Sequence, residues 1–374
     1  MSALALATRG APRLAIAPAP ARIALLGTGN VGRAVLARLA GWRGTPLGAR
    51  VVLVHAASSR RAISRRTGLV ADQVIDALAP LARPDAGLAA ALAALHGAGP
   101  RIVVDATASD EVAAHHAGWL AGGVHVVTAC KLGQGASLAR WRAIRAGCAT
   151  GATTYGDRAT VGAGLPVLRS IRELRAGGDR IRAVAGVLSG SLAWLCHHHD
   201  GTAPFSSLVR AARAAGYTEP DPRDDLSGED VRRKLLILAR AAGVELDADA
   251  VAVDSLVPPA LAALPVAEVD GALARLDAPL AARHAAAASR GARLRFIARL
   301  EDGRASVGLE ALAPDHPLAG GAGTDNRVAI WSDRYRDQPL IIGGPGAGAE
   351  VTAAGLLDDV LAIADHERAA SVAW

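Results

Sequence analysis

Short apolar runs alternate with Ala-rich segments of helical periodicity through the first part of the chain. ARIALLG (residues 21–27) runs straight into GTGNVG, after which Val31, Val35 and Leu39 recur at helical spacing. RVVLVHAASS (50–59), RIVVDATAS (101–109), VHVVTACK (124–131) and ATGATTY (149–155) read as further strands. Continuous apolar runs suit parallel strands covered on both faces. Strands alternating with helices predict a doubly wound, Rossmann-type α/β sheet.

Beyond Tyr155 the pattern changes. RIRAVAGVLS (180–189) leads into an apolar helical stretch, and RLRFIARLEDGRASVGLEAL (293–312) holds two alternating runs around a Glu-Asp-Gly turn. That turn is a hairpin signal. With NRVAIWSDRY (326–335) as another strand, an α+β second domain is expected. The tail QPLIIGGPGAGAEVTAAGLLDDVLAIA combines a Gly-rich turn with an amphipathic helix, and its pattern leaves open which domain it joins. The expected division is a loose leader over 1–20, a dinucleotide-binding domain over 21–157, a second domain over 158–337 and a C-terminal segment over 338–374.

Composition narrows the function. A chain of 374 residues can fill two cores, and with aromatics at 3% those cores must be aliphatic. The net charge of +6 comes from scattered arginines with no basic block interleaved with aromatics, which argues against nucleic-acid binding. Arg9 and Arg13 interrupt the apolar start, and no stretch reaches the roughly 18 uninterrupted apolar residues of a membrane span. Cys130, Cys148 and Cys196 are too few and too unpatterned for a disulfide framework, so a reducing, cytoplasmic setting is expected.

The turn Gly27, Thr28, Gly29, Asn30, Val31, Gly32 fits G-x-G-x-x-G between a strand and a helix. The first glycine permits the tight turn, the second lets backbone approach a pyrophosphate, and the third allows close helix packing. The phosphate would rest on the free amides of the helix N-terminus. An NAD site wants an acid at the end of the second strand. Here that strand ends HAASSRRAISRR, where Ser58, Ser59, Arg60 and Arg61 suit a 2′-phosphate. NADP is favoured, NAD stays open, and the competing reading is a solvated basic loop.

The densest chemistry lies in YTEPDPRDDLSGEDVRRK (217–234), where Glu219, Asp221, Asp224, Asp225, Glu229 and Asp230 stand beside Arg223, Arg232, Arg233 and Lys234. Ser227 and Asp230 have the S-x-x-D spacing of a helix cap, and Gly243 would close the helix. A solvated, capped helix start therefore accounts for much of the charge. Against it, Asp230 and Lys234 share a face with Val231, Leu235 and Leu238, and carboxylates held near an apolar stripe need cationic partners. A ligand ammonium would serve, and Lys234 could exchange a proton with a reacting oxygen. His197, His198 and His199 point about 100° apart on a helix, which disfavours one shared metal.

GTGNVG, DATAS, TACK, TVGAGLPVL, GVLSGSLAWL, GYTEPDPRDDLSGEDVRRKLLILAR and GPGAGAEVTAAG occur in the order found in homoserine dehydrogenases. The chain resembles that family from Ala21 to about Ala364, and most of all the dehydrogenase part of bifunctional aspartokinase–homoserine dehydrogenases. The resemblance implies reversible hydride transfer between NADP(H) and L-homoserine or L-aspartate 4-semialdehyde, in threonine, methionine and isoleucine biosynthesis. It implies Lys234 as proton donor to the aldehyde oxygen, and Lys131 as a second active-site lysine near nicotinamide and substrate. Glu219, Asp225 and Asp230 would bind or orient the amino acid, with Asp230 also counted as catalytic. Gly216, Thr107, Ala108, Ser109, Gly346 and Gly348 would meet the cofactor, which returns the tail to the first domain. A homodimer formed through the second domain is also implied.

The chain departs from the family pattern at particular positions. Cys130 stands where the family usually has Asn. Arg158 stands where the family's monovalent-cation loop usually has Glu or Asp. The loop's backbone carbonyls at Val161, Ala163 and Leu165 are the implied sodium ligands, and the arginine argues against that ion. A cofactor-binding protein without turnover is the competing reading that these departures favour.

Overall fold

The computed structural model describes residues 19–79, 88–321 and 323–372. All but residues 19 and 20 of the expected leader lie outside that range. The first sheet contains β1 (Ala21–Leu26), β2 (Val51–Ala57), β3 (Ala62–Ser64), β4 (Arg101–Asp105), β5 (His125–Thr128) and β6 (Tyr155–Gly156), in the order β3-β2-β1-β4-β5-β6. All neighbours pair in parallel except β3, which folds back antiparallel on β2. Alternate side chains of each strand feed two different layers. Ile23 and Leu25 pack with Val35 and Leu36 of the helix Asn30–Gly41, whereas Ala24 and Leu26 pack with Leu95, Trp119 and Leu120 on the other face. Burial on both faces is why these strands read as unbroken apolar runs.

The expected strand 149–155 is corrected. Residues up to Gly151 finish the helix Leu138–Gly151, Ala152 turns the chain at φ 49°, and only Tyr155–Gly156 pairs with β5. Ser137 caps that helix by accepting the amide of Arg140, so Ala149, Thr150 and Gly151 extend an established helix.

The second sheet contains β7 (Ile181–Val187), β8 (Val251–Val253), β9 (Arg293–Glu301), β10 (Arg304–Leu312), β11 (Asn326–Ser332) and β12 (Leu340–Gly344), in the order β12-β11-β7-β9-β10-β8. It is antiparallel apart from the β8–β10 pair. The expected hairpin is present, with Asp302 and Gly303 at φ 49° and 74°. Positive φ at both central positions matches the right-handed twist of the flanking strands. Helices Val167–Ala176, Phe205–Ala214 and Glu229–Ala241 cover one face, burying Ile171, Val209, Leu235 and Leu238 against Phe296, Leu300 and Val328.

The tail divides between the sheets. Leu340–Gly344 pairs with β11 as the edge of the second sheet, so the first part of 338–374 does not return to the first domain. The helix Ala349–Val372 then lays Ala353, Leu356, Leu357 and Val360 into the core beside the helix Asn30–Gly41.

Candidate active site

The glycine turn has the geometry its spacing calls for. Gly27 sits at φ 92°, and a Cβ there would lie 2.7 Å from the carbonyl oxygen of Ala106. A Cβ on Gly32 would come within 1.9 Å of the Gly27 carbonyl, so the helix can pack this closely only on a glycine. Gly29 faces open space, with nothing within 4 Å of a Cβ, at the N-terminus of the helix Asn30–Gly41. The cradle therefore offers free helix amides and room for a phosphate group, so a dinucleotide fits.

The tips of β2, β4 and β5 flank that turn. After β2, Ser58 Oγ accepts the amides of Arg60 and Arg61 at 3.2 and 3.0 Å, making a tight bend. Arg61 is drawn back to the carbonyls of Leu78 and Ala79, whereas Arg60 is exposed with no side-chain partner among the described residues. After β4 and β5, a buried carboxylate ties the two tips together. Asp105 accepts the Thr107 amide at 2.9 Å and hydroxyl at 2.6 Å on one oxygen, with Thr128 Oγ and a nitrogen of His116 each 3.1 Å from the other. His116 also bonds Tyr155 OH at 3.0 Å. This network holds Thr107, Ala108 and Ser109 in place, and Ser109 then caps the helix Asp110–Ala121. The sequence reading missed Asp105, although an acid at the end of a fully apolar strand is the signal that could have found it.

Cys130 is buried over the same network. Its amide bonds Thr128 Oγ at 2.8 Å, and burial together with nearby Asp105 pushes the thiol up to about 11. Such a group is an uncharged packing residue at neutral pH, not a nucleophile.

Lys131 leaves the β5 tip toward the second sheet's helices. Its ammonium is 3.3 Å from one oxygen of Asp230, and the Lys234 ammonium is 2.9 Å from the other. Lys234 is 9% exposed and donates a 2.7 Å hydrogen bond to the carbonyl of Leu188, just beyond β7. Burial, aided by the Lys131 charge, lowers the Lys234 pKa, with Asp230 opposing. Burial alone would raise the Asp230 carboxyl, but the two lysines outweigh it and hold the group well below the usual carboxylate range. One anion thus holds two ammonium groups from opposite halves of the chain.

The cap around Asp230 differs from the expectation. Asp221 and Pro222 start a separate short helix, Pro222–Leu226, and Ser227 ends it. Gly228 at φ 77° is the residue before Glu229–Ala241, with no side-chain cap. Ser227 Oγ accepts only the Glu229 amide, at 3.3 Å. Gly243 closes the helix as expected, at φ 91°. Asp225, on the short helix, accepts Ser191 Oγ at 2.7 Å and the Glu219 amide at 2.8 Å. Glu219 is exposed, and its carboxylate has no partner among the described residues. Gly216 follows Phe205–Ala214 at φ 74°. Gly346 abuts the Asn326 side chain, and Gly348 at φ 121° opens the tail helix.

The remaining candidates disperse. His198 stacks on Trp194, whereas His199 packs against Phe205 and His284, and no metal-ligating group of three exists among the described residues. No helix among the described residues is long and apolar enough to cross a membrane.

Comparison with known proteins places this geometry. The homoserine dehydrogenase family model matches residues 166–361, and the model of the homoserine dehydrogenase NAD binding domain matches residues 27–154. A chloroplastic bifunctional aspartokinase/homoserine dehydrogenase 2 of Zea mays is 42% identical over 274 residues, which is 72% of this chain. The chain spans about 30% of that relative's length. Homoserine dehydrogenase of Emericella nidulans is 36% identical, covering 72% of this chain and 76% of that one. Among solved structures, a Candida auris protein of unknown function superposes with a TM-score of 0.84 at 35% identity, over 92% of this chain and 98% of that one. A putative homoserine dehydrogenase from Archaeoglobus fulgidus shares the fold with a TM-score of 0.74 at 24% identity, over 91% and 98%. The chain belongs to the homoserine dehydrogenase family.

Proposed function

We propose that the protein interconverts L-aspartate 4-semialdehyde and L-homoserine, with NADP(H) preferred over NAD(H). The observation that carries this is the bridge Lys131–Asp230–Lys234. Gly27, Thr28, Gly29, Asn30, Val31 and Gly32 would hold the pyrophosphate, Ser58 and Arg60 the 2′-phosphate, and Thr107, Ala108 and Ser109 the nicotinamide side. Gly216, Gly346 and Gly348 would complete that enclosure. The bound nicotinamide supplies or accepts the hydride.

The chain's residues do the rest. Glu219 and Asp225 hold the substrate ammonium, with Ser191 fixing one Asp225 oxygen. Lys131 and Lys234 face the carbonyl oxygen, and their charge stabilises the alkoxide that forms on reduction. Lys234 then delivers the proton, and its lowered pKa makes it a stronger acid than an exposed lysine. Asp230, paired with both ammonium groups, keeps the two lysines turned inward. We further propose a homodimer meeting through the second domain, testable by sedimentation, and a reducing cytoplasmic setting that suits three unpaired cysteines.

Comparing L-homoserine with alcohols that lack its carboxylate or its ammonium tests the substrate reading. Strong preference for homoserine supports it, and equal turnover of the truncated alcohols overturns it.

A further inference from the structure

The loop 157–165 is where the family resemblance implies a monovalent cation on the carbonyls of Val161, Ala163 and Leu165. The surroundings of two of these carbonyls do not suit one. The Leu165 carbonyl accepts the Val167 amide at 2.9 Å. The Ala163 carbonyl faces Gly355 of the tail helix so closely that a Cβ there would lie 2.8 Å from it. The buried carboxylate of Asp157 is occupied, taking two parallel 2.6 Å hydrogen bonds from Arg172 and one of 2.9 Å from Gln134.

The cation that joins this loop to the tail helix is Arg158. Its amide donates to Asp359 at 3.0 Å, and its guanidinium lies 3.1 Å from Asp358 and 3.3 Å from Asp359. Gly355 and Asp359 lie four residues apart on one helix face, about 6 Å from each other. The arginine's charge therefore sits one helical turn from the Ala163 carbonyl, where it repels a second cation. Burial and neighbouring Asp157 raise the Asp359 carboxyl to about 6, so this surface calls for a positive charge to stay ionised.

We propose that the Arg158 guanidinium, clamped by Asp358 and Asp359, replaces a bound alkali cation as the charge that ties loop 157–165 to the tail helix. The protein then needs no monovalent cation. An acid at position 158 would instead stand with the freed carboxylates of Asp358 and Asp359 as a cluster of oxygen ligands suited to a hard ion.

Thermal unfolding without substrate or cofactor tests this separately from turnover. Wild type, Arg158→Glu and Arg158→Gln are compared in sodium, potassium and choline chloride at equal ionic strength. Wild type should unfold at one temperature in all three salts. Arg158→Glu should gain a saturable rise in Tm with an alkali ion and none with choline, as a ligand bound only by the native state requires. If Arg158→Glu does not fold in any salt, Arg158→Gln carries the test, and its lost stability should be partly restored by sodium but not by choline. A saturable alkali-specific rise in wild type overturns the proposal. So does a folded Arg158→Glu that ignores alkali ions, or an Arg158→Gln shortfall that they leave unchanged.

Discussion

Asp230 stands between Lys131 and Lys234 at 3.3 and 2.9 Å, and the protonation of Lys234 should set the pH dependence. In the proposed mechanism reduction needs its ammonium form, and the Lys234 pKa lies below the ordinary 10.5. Reduction turnover should therefore fall as pH rises through that depressed value, while homoserine oxidation, which needs the neutral amine as base, rises over the same interval. Steady-state pH profiles in both directions check the sign; parallel profiles would remove Lys234 from the proton transfer. Arg60, which has no side-chain partner among the described residues beside the bend at Ser58, is the proposed determinant of cofactor choice. Arg60→Ala should lower the NADPH/NADH ratio of kcat/KM by about 10- to 100-fold, the value of a charged hydrogen bond. An unchanged ratio would show that the residue is a solvated loop arginine. Asp230 and Lys234 were legible because i,i+4 spacing beside an apolar stripe is a local signal. The Leu188 carbonyl and Ser191 were not, because long-range packing alone brings them to Lys234 and Asp225.

At the scale of elements, the glycine turn separates two effects of one added methyl group. Gly32→Ala should destabilise the fold, because its Cβ would meet the Gly27 carbonyl at 1.9 Å. Gly29→Ala, which meets nothing within 4 Å, should keep its Tm but weaken NADPH binding about tenfold, a loss on the order of 1.4 kcal/mol. Thermal melts with cofactor titration decide the matter; unchanged affinity in Gly29→Ala would place the phosphate elsewhere. The strands and the β9–β10 hairpin were readable from apolar runs and the Asp-Gly turn. The residues 149–155 misled because Ala, Gly and Thr suit a helix end and a strand start alike, and the cap at Ser137 settles it from upstream. Ser227 misled similarly: its cap spacing is real, but Asp221-Pro222 begins a helix earlier and uses it as a terminus.

Across the whole molecule, the candidate site forms where the loop after β5 meets the helix Glu229–Ala241, since Lys131 follows β5 and its anion belongs to the second sheet's helices. Gly135 seats that junction. A Cβ there would lie 2.8 Å from the backbone oxygens of both Arg233 and Lys131. Gly135→Ala should shift the Lys131 loop off the helix and lower kcat on the order of 100-fold, the cost of a displacement of about 1 Å. NADPH affinity should stay near wild type, and a kcat that also stays there would mean the loop position is immaterial. The sequence carried the order of motifs, but not the packing of Gly135 on Arg233, which depends on contacts between distant segments. The most direct measurement is NADPH oxidation with L-aspartate 4-semialdehyde by wild type and Lys234→Ala. Wild type should turn over, and the variant should lose at least about 100-fold in kcat while binding NADPH normally. A folded wild type that is silent at saturating substrate, or a Lys234→Ala variant as fast as wild type, would mean that the Lys131–Asp230–Lys234 bridge is not a catalytic centre.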